Sequence, residues 1–277
     1  MSAPRAVVFG VSGVTLTADE RAFLTEADPL GFILFARNCE APDQVRTLTG
    51  ELREAVGRVD APVLIDQEGG TVMRLRPPNW HDAPDAERLG NLYPRDPERA
   101  RAAARAVGAL FGAELRDIGV DVDCAPVADL GLPETTGAIG TRAYSRKPVI
   151  VADLARAMGE GLMQEGCLPV LKHLPGHGRA TVDSHRALPR VDAAPDTLRE
   201  SDFAAFRALR DLPLGMVAHV VFAAFDAENA ASVSSTIIDD VIRDEIGFDG
   251  FLFSDDIVMA ALQGRHSERA AAALAAG

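Results

Sequence analysis

Short apolar segments alternate with helical segments along the whole of this 277-residue chain, and this alternation restricts the fold more than any other feature. The apolar segments predict β-strands at 6–11, 30–36, 62–65, 120–127, 168–171, 214–222 and 250–253. Caps, first-turn prolines and helical spacing predict helices at about 17–26, 42–56, 96–117, 148–165, 196–210, 235–246 and 266–276. Strands that alternate with helices indicate parallel pairing with helical crossovers.

Polar residues follow the third, fourth, fifth and seventh predicted strands, which favours a barrel whose loops converge at one mouth. A doubly wound open sheet is the alternative, but the first strand lacks a GxGxxG turn. We therefore predict one TIM-type (β/α)8 barrel domain over residues 1–277. Because we count seven strands where a complete barrel has eight, we expect the last βα unit to be absent from this chain.

Composition limits the partners and the compartment. A hydrophobic content of 47% supports a large core, and a net charge of −13 argues against a nucleic-acid partner. No apolar run approaches the length of a membrane span, and the N-terminus lacks a secretory pattern. The odd number of cysteines (Cys39, Cys124, Cys167) indicates free thiols in a reducing compartment. We predict a soluble cytoplasmic protein that does not bind membranes.

Residues 171–189, LKHLPGHGRATVDSHRALP, are the richest in titratable groups. An apolar run that enters a Gly/Pro stretch is typical of a buried strand followed by a loop, where barrel enzymes carry their chemistry. His173 and His177 are four apart, as in a helical zinc motif, but Pro175 and Gly176 lie between them. A helix is therefore disfavoured, and we predict no metal site here.

Asp183 and His185 are two residues apart in the same stretch. At that spacing a carboxylate can reach an imidazole nitrogen, orient the ring and raise its basicity. A charged pair on a surface loop is the alternative that the pair alone leaves open.

Together these residues resemble a known family. The pattern KH-x-PGHG followed by D-S-H is similar to that of family 3 glycoside hydrolases of the bacterial β-N-acetylglucosaminidase type, which act in peptidoglycan recycling. Two further stretches match, IDQEGG at 65–70 and FSDD at 253–256, and IG-x-R-x-x-S at 139–145 matches more weakly. Members of that family continue into an eighth strand and helix. This chain departs from the pattern at Thr71, Leu174 and the pair Ile257-Val258.

The resemblance implies a catalytic trio. Retaining hydrolysis needs a nucleophile on one face of the sugar and a proton donor on the other. Asp255, which follows the seventh predicted strand, is implied as the nucleophile, and His185 as the acid and base, oriented by Asp183. An imidazole with an unperturbed pKa of about 6.5 can exchange a proton near neutral pH. Asp256 is expected to be structural, and the glycine-containing loop before His185 is expected to close over bound sugar.

The resemblance also implies a sugar-binding set. Asp66 would accept hydrogen bonds from sugar hydroxyls, and four side chains would donate them: Arg74, Arg142, Lys172 and His173. For Lys172 and His173 a structural ion pair with a nearby carboxylate is the alternative. We assign no catalytic role to Glu68, His177 or His219, and no metal or organic cofactor.

The predicted activity is that of a retaining exo-β-N-acetylglucosaminidase. Its substrate would be the small sugar N-acetylglucosamine-anhydro-N-acetylmuramic acid, with or without a peptide. A related β-glycosidase or an N-acetylglucosaminide phosphorylase is one alternative. A metal-dependent barrel hydrolase that uses Lys172, His173, His219 and Asp255 is a second, and a protein that only binds sugar is a third.

Overall fold

The computed structural model describes residues 3–133, 138–183 and 187–277. The described strands in chain order are β1 (Arg5–Phe9), β2 (Pro29–Leu34), β3 (Val63–Ile65), β4 (Gln67–Gly69), β5 (Val72–Met73), β6 (Val122–Asp123), β7 (Leu168–Leu174), β8 (Arg190–Val191), β9 (Leu214–Val217), β10 (Val221–Phe222) and β11 (Phe251–Ser254). Seven of them form one sheet in the order β1-β2-β3-β6-β7-β9-β11, and every pair in it is parallel. The predicted parallel pairing is confirmed.

Eight α-helices connect or flank these strands. They are α1 (Ala18–Ala27), α2 (Pro42–Ala55), α3 (Ala86–Leu92), α4 (Pro97–Asp117), α5 (Pro148–Gln164), α6 (Pro195–Glu200), α7 (Asp202–Ala208) and α8 (His266–Ala276). Short 3₁₀ turns lie at Ala36–Asn38, Gly140–Arg142 and Ala231–Val233, and a π-helix spans Ile237–Ile246. Thr17 and Glu20 form the capping box predicted for α1, and Asp96 caps α4 as expected.

The sheet is curled into a half-barrel. Its concave face carries a small cluster to which all seven strands contribute, the buried Leu64, Val122, Cys124, Val170 and Met216 with the half-buried Val8, Ile33, Leu214 and Phe253. Side chains on one face of a sheet converge into one such cluster when the sheet is strongly curved. No ladder joins β1 to β11 within the described ranges, so the TIM-type barrel stays a prediction.

The convex face carries most of the core. A second, larger cluster runs under the helices and includes Phe32, Phe111, Leu154, Phe206 and Ile242. Helices α4 and α5 approach closely because Gly161 faces the α4 backbone, where a Cβ would lie 2.2 Å from Arg105 O. This packing holds the strands in place, and the polar residues lie at the ends of those strands. No helix in the described part of the chain is long and apolar enough to cross a membrane.

Several predicted boundaries were wrong for identifiable reasons. Strand β7 runs on to Leu174, past the predicted end at residue 171, because Lys172 and His173 have buried carboxylate partners and need not leave the sheet. The predicted strand 120–127 contracts to β6, because Pro126 has no N–H for a ladder. The strand predicted at 214–222 is two strands: β9 stays in the main sheet, whereas β10 pairs with β8. The helix predicted at 196–210 divides at Ser201 into α6 and α7.

Candidate active site

Polar side chains collect at the carboxyl ends of β3, β7 and β11. Asp66 comes directly after β3, and Asp255 comes directly after β11. Lys172 and His173 are among the last three residues of β7. Since the strands are parallel, these ends lie at one edge of the sheet, where barrel enzymes bind their substrates.

Lys172 is the centre of the buried charges. Its ammonium lies 2.8 Å from Asp66 Oδ1 and 2.6 Å from Glu68 Oε1, and only 2% of its side chain is exposed. A lysine so deep in a fold needs such partners, because an unpaired buried ammonium would lose its charge. The two carboxylates come from the segment between β3 and the end of β4, so Lys172 ties that segment to β7.

Two arginines complete this network from outside. Arg74 Nη2 lies 3.0 Å from Asp66 Oδ2, and Arg142 holds Glu68 with two hydrogen bonds of 2.8 Å each. The bidentate geometry fixes the plane of the Glu68 carboxylate. Arg74 and Arg142 keep 28% and 18% of their side chains exposed, so both border the mouth of the site.

All five of these groups are charged at neutral pH. Burial opposes ionisation of Asp66 and Glu68, but Lys172 and the arginines outweigh it and hold both pKa values below their ordinary range. Burial likewise opposes the charge of Lys172, yet the two carboxylates keep its pKa above the ordinary value. Three cations therefore face two carboxylates. These ion pairs hold the N–H donors of Lys172, Arg74 and Arg142 in position.

The β4–β5 hairpin is what presents these carboxylates. Gln67 Oε1 accepts hydrogen bonds from the backbone N–H groups of Arg74 and Leu75, at 2.9 and 3.1 Å. Gly69 and Gly70 form the turn with φ of +99° and +58°, a region that favours glycine. The DQEGG sequence thus closes a small loop in which Asp66 and Glu68 point to the same lysine.

A second network orients His173. Its Nδ1 lies 2.6 Å from Asp129 Oδ2, while Asp129 Oδ1 accepts the backbone N–H of His177 at 2.6 Å. The His177 ring stands edge-on to the His173 ring, with centroids 5.7 Å apart. Because Asp129 accepts at Nδ1, the Nε2 of His173 is the atom turned to the neighbouring groups, and Arg142 Nη2 lies 3.5 Å from it.

Asp255 stands half-buried at the end of β11. Its backbone N–H donates to Val217 O at 3.0 Å, and its Oδ1 accepts the N–H of Asp256 at 2.8 Å. Burial opposes the charge on Asp255, but His173, the Asp256 amide and Lys172 outweigh it and hold its pKa below the ordinary value. The carboxylate is therefore ionised and held at the mouth. Asp256 instead turns its Oδ1 to the N–H of Val258 at 2.8 Å, the structural role expected for it.

The proposed acid and base lies outside what the structure describes. His185 is in the range 184–186, which lies outside the described residues, so its pairing with Asp183 stays a prediction. Asp183 itself is half-buried in the loop that leaves β7, and its backbone oxygen accepts the N–H of Ala187 at 3.1 Å.

The structure brings together the five predicted sugar-binding side chains through direct contacts: Asp66, Arg74, Arg142, Lys172 and His173. Sequence reasoning left Glu68 structural without naming its partners, and it missed Asp129 as a group that holds His173. The signal available was position, since each is an acidic residue just beyond a predicted strand. Within residues 3–133, 138–183 and 187–277, no group of three or more His, Cys, Asp or Glu side chains is arranged to hold a metal ion.

Comparison with known proteins gives one consistent result. The model of the glycosyl hydrolase family 3 N-terminal domain matches residues 7–277. A beta-hexosaminidase of Alkalilimnicola ehrlichii is 40% identical over 275 residues, which is 98% of this chain and 78% of that protein. A beta-hexosaminidase of Nitrosomonas eutropha is 38% identical over 280 residues, again 98% and 78% of the two chains.

Solved structures agree. NagZ from Neisseria gonorrhoeae in complex with N-trifluoroacetyl-D-glucosamine superposes with a TM-score of 0.91 at 34% identity, over 99% of this chain and 80% of that one. A family 3 beta-N-acetylglucosaminidase from Paenibacillus gives 0.90 at 33%, over 98% and 52% of the two chains. The expected family is therefore confirmed: this chain belongs to glycosyl hydrolase family 3 and is a glycoside hydrolase related to the enzymes named beta-hexosaminidase.

Proposed function

We propose that this protein is a retaining exo-β-N-acetylglucosaminidase in which Asp255 is the nucleophile. The observation that carries the proposal is the position of Asp255, an ionised carboxylate at the carboxyl end of β11 beside the His173 and Lys172 networks. A carboxylate of depressed pKa that is held by its own turn meets the requirements of a nucleophile better than those of a proton donor.

The proton donor in this mechanism is His185, oriented by Asp183. In the first step a carboxylate oxygen of Asp255 bonds to the anomeric carbon, while the His185 imidazolium gives its proton to the departing glycosidic oxygen. In the second step neutral His185 takes a proton from water, whose oxygen displaces Asp255 from the sugar. Asp183 stabilises the imidazolium in each cycle, as the carboxylate does in a catalytic triad.

The sugar would lie against the charged network at the ends of β3 and β7. Asp66 offers acceptors to sugar hydroxyls, Arg74, Arg142 and Lys172 offer donors, and His173 presents its Nε2. Their ion pairs hold these groups in place before a ligand arrives, so little ordering cost falls on binding. Bound N-trifluoroacetyl-D-glucosamine in the gonococcal relative supports an N-acetylglucosamine-type sugar here.

For the natural substrate we propose N-acetylglucosamine linked to anhydro-N-acetylmuramic acid, with or without a peptide. This assignment depends on family resemblance to enzymes of peptidoglycan recycling, and it implies a cytoplasmic site of action. Thr71, Leu174 and the Ile257-Val258 pair depart from the family pattern and lie near the site residues in sequence, so they are the positions at which aglycone selectivity would differ.

The test is release of chromophore from an aryl N-acetyl-β-glucosaminide. We expect Asp255→Ala to lower kcat by about 10³-fold or more, since the covalent route is lost. The matched control is Asp256→Asn, which keeps an oxygen for the Val258 N–H and should retain activity within a few-fold. Asp255→Ala with near wild-type turnover, or an Asp256→Asn protein that is the inactive one, would overturn the assignment.

Two further measurements define the reaction. Acid-quenched wild-type enzyme should carry one N-acetylhexosamine on the peptide that contains Asp255, as intact and peptide mass spectrometry can show. Product analysis with and without inorganic phosphate separates a hydrolase, which releases free sugar in both, from a phosphorylase, which releases sugar phosphate when phosphate is present.

A further inference from the structure

His219 is a wholly buried histidine that follows β9 just as Asp255 follows β11. The 3₁₀ turn Ala231–Val233 clamps the backbone on both sides of it. Ala231 N–H donates to Val220 O at 2.8 Å, and Ser232 N–H donates to Ala218 O at 3.1 Å. The ring therefore has little freedom to move relative to the end of β9.

Both ring nitrogens of His219 have partners, and the partners define the tautomer. Nε2 lies 3.0 Å from the backbone oxygen of Asp256, and Nδ1 lies 2.6 Å from Ser232 Oγ. A carbonyl oxygen can only accept, so Nε2 carries the proton, and in the neutral ring Nδ1 accepts the Ser232 hydroxyl. Burial lowers the pKa of His219, against the opposite effect of Asp255, and this favours the neutral ring.

The chain of hydrogen bonds ends on Asp255. Ser232 donates to His219, His219 donates to the Asp256 carbonyl, and the N–H of Asp256 donates to Asp255 Oδ1 at 2.8 Å. His219 thus holds the C=O of Asp256, while the N–H of the same residue, in the preceding peptide unit, reaches Asp255, so residue 256 links the imidazole to the carboxylate.

We propose that His219, held in its orientation by Ser232, is a positioning residue that holds the Asp255–Asp256 turn and so fixes the attacking carboxylate. This inference depends on the proposed role of Asp255 as nucleophile. Without the Ser232 hydroxyl the buried Nδ1 has lost its donor, and the ring is held in its orientation only by its bond to the Asp256 carbonyl and by packing. The Asp256 carbonyl then keeps the Met259 N–H at 3.0 Å but is held less firmly by the imidazole, so the Asp256 N–H is a poorer donor to the charged form of Asp255.

Other groups also act on these two side chains and are unchanged in the variants below. Asp255 is faced by Lys172 and His173 of β7, by His177 in the following loop and by Asp256 in its own turn. His219 is faced by Asp255, by Asp256 and by Arg269 of α8. A shift in the pH profile of a Ser232 variant is therefore caused by the hydrogen-bond chain.

The test compares Ser232→Ala with Ser234→Ala. Both serines are buried in the same segment and each donates one hydrogen bond of 2.6 Å, but Ser234 donates to Asp226, away from Asp255. We expect Ser232→Ala to lower kcat/KM for an aryl N-acetyl-β-glucosaminide by about tenfold, the effect of losing one buried hydrogen bond in the reacting complex. The acidic limb of the kcat/KM pH profile of Ser232→Ala should move to higher pH. The inhibition constant of N-acetylglucosamine should stay within twofold of wild type.

Two more variants separate positioning from folding. Ser232→Thr keeps the hydroxyl and should restore the wild-type pH profile. His219→Gln keeps a donor for the Asp256 carbonyl and should retain more activity than His219→Leu, which lacks one. If Ser232→Ala behaves like Ser234→Ala in rate and pH profile, the positioning proposal is wrong. If Asp255→Ala remains active, the proposed function is wrong. The two proposals are therefore overturned by different results.

Discussion

The carboxyl group of Asp123 lies under the backbone of Gln67, whose N–H it accepts at 2.9 Å through Oδ1. Asp123 pairs with Ile65 across the β3–β6 ladder and is completely buried, and its Oδ2 has no hydrogen-bond partner among the described residues. Burial raises the pKa of Asp123 well above the ordinary value of 3.8, and Asp66 and Glu68 act in the same direction. Burial thus favours the neutral form of an acid that supports the segment carrying two charged ones.

The neutral acid makes stability depend on pH. A carboxyl whose pKa is higher in the folded state contributes stability that is fully present below its unfolded pKa, near 3.8, and is lost as the pH rises through the folded pKa. Asp123→Asn keeps an oxygen for the Gln67 N–H and cannot ionise. We expect its free energy of unfolding relative to wild type to increase by about 1–3 kcal/mol between pH 4 and pH 8. Urea denaturation at several pH values measures this, and a difference that is constant across pH would contradict it.

Loss of the Glu68 charge should lower the free energy of unfolding more than loss of an exposed carboxylate. Glu68→Gln removes the negative charge that Lys172 and Arg142 share, and breaking a buried ion pair in this way costs about 3–5 kcal/mol. The control is Glu160→Gln, which breaks an exposed pair with Arg105 and should cost less than about 1 kcal/mol. Thermal and chemical denaturation compare the two. Equal losses would mean that the buried network contributes no more than a surface pair.

Asp129→Asn should weaken sugar binding without removing catalysis. Asn can still accept the His177 N–H, but its amide cannot hold the Nδ1 proton of His173 as a carboxylate does. We expect the inhibition constant of N-acetylglucosamine to rise by about tenfold, which corresponds to one charge-assisted hydrogen bond. Isothermal titration provides the measurement. If Asp129→Asn binds N-acetylglucosamine with wild-type affinity while His173→Ala binds it more weakly, then Asp129 does not act through the His173 ring.

The α4–α5 contact predicts opposite effects for two glycines. Gly161→Ala would place a Cβ 2.2 Å from Arg105 O and should destabilise the fold by about 1–3 kcal/mol through overpacking. Gly50→Ala, inside α2 with no atom within 4 Å of its Cβ position, should stabilise by about 0.5–1 kcal/mol. Melting temperatures that shift in opposite directions would agree with this packing, whereas a stabilising Gly161→Ala would contradict it.

The sequence by itself determined the strand and helix alternation and the family. These features depend on neighbouring residues: first-turn prolines start α2, α4 and α5, and a capping box starts α1. The motifs at 65–70, 171–189 and 253–256 also indicated which polar side chains meet, because parallel strands deliver their ends to one edge.

Only the tertiary structure decided which partner each buried charge has. Lys172 meets a carboxylate 106 residues away and Arg142 meets one 74 residues away, and both pairings depend on strand order and on the course of the loops. His219 had no assigned role in the sequence, because Ser232 and Asp256 come to it from two other segments. A local pattern records what a residue needs from its neighbours in the chain, whereas a buried polar group is satisfied by whatever the fold places beside it.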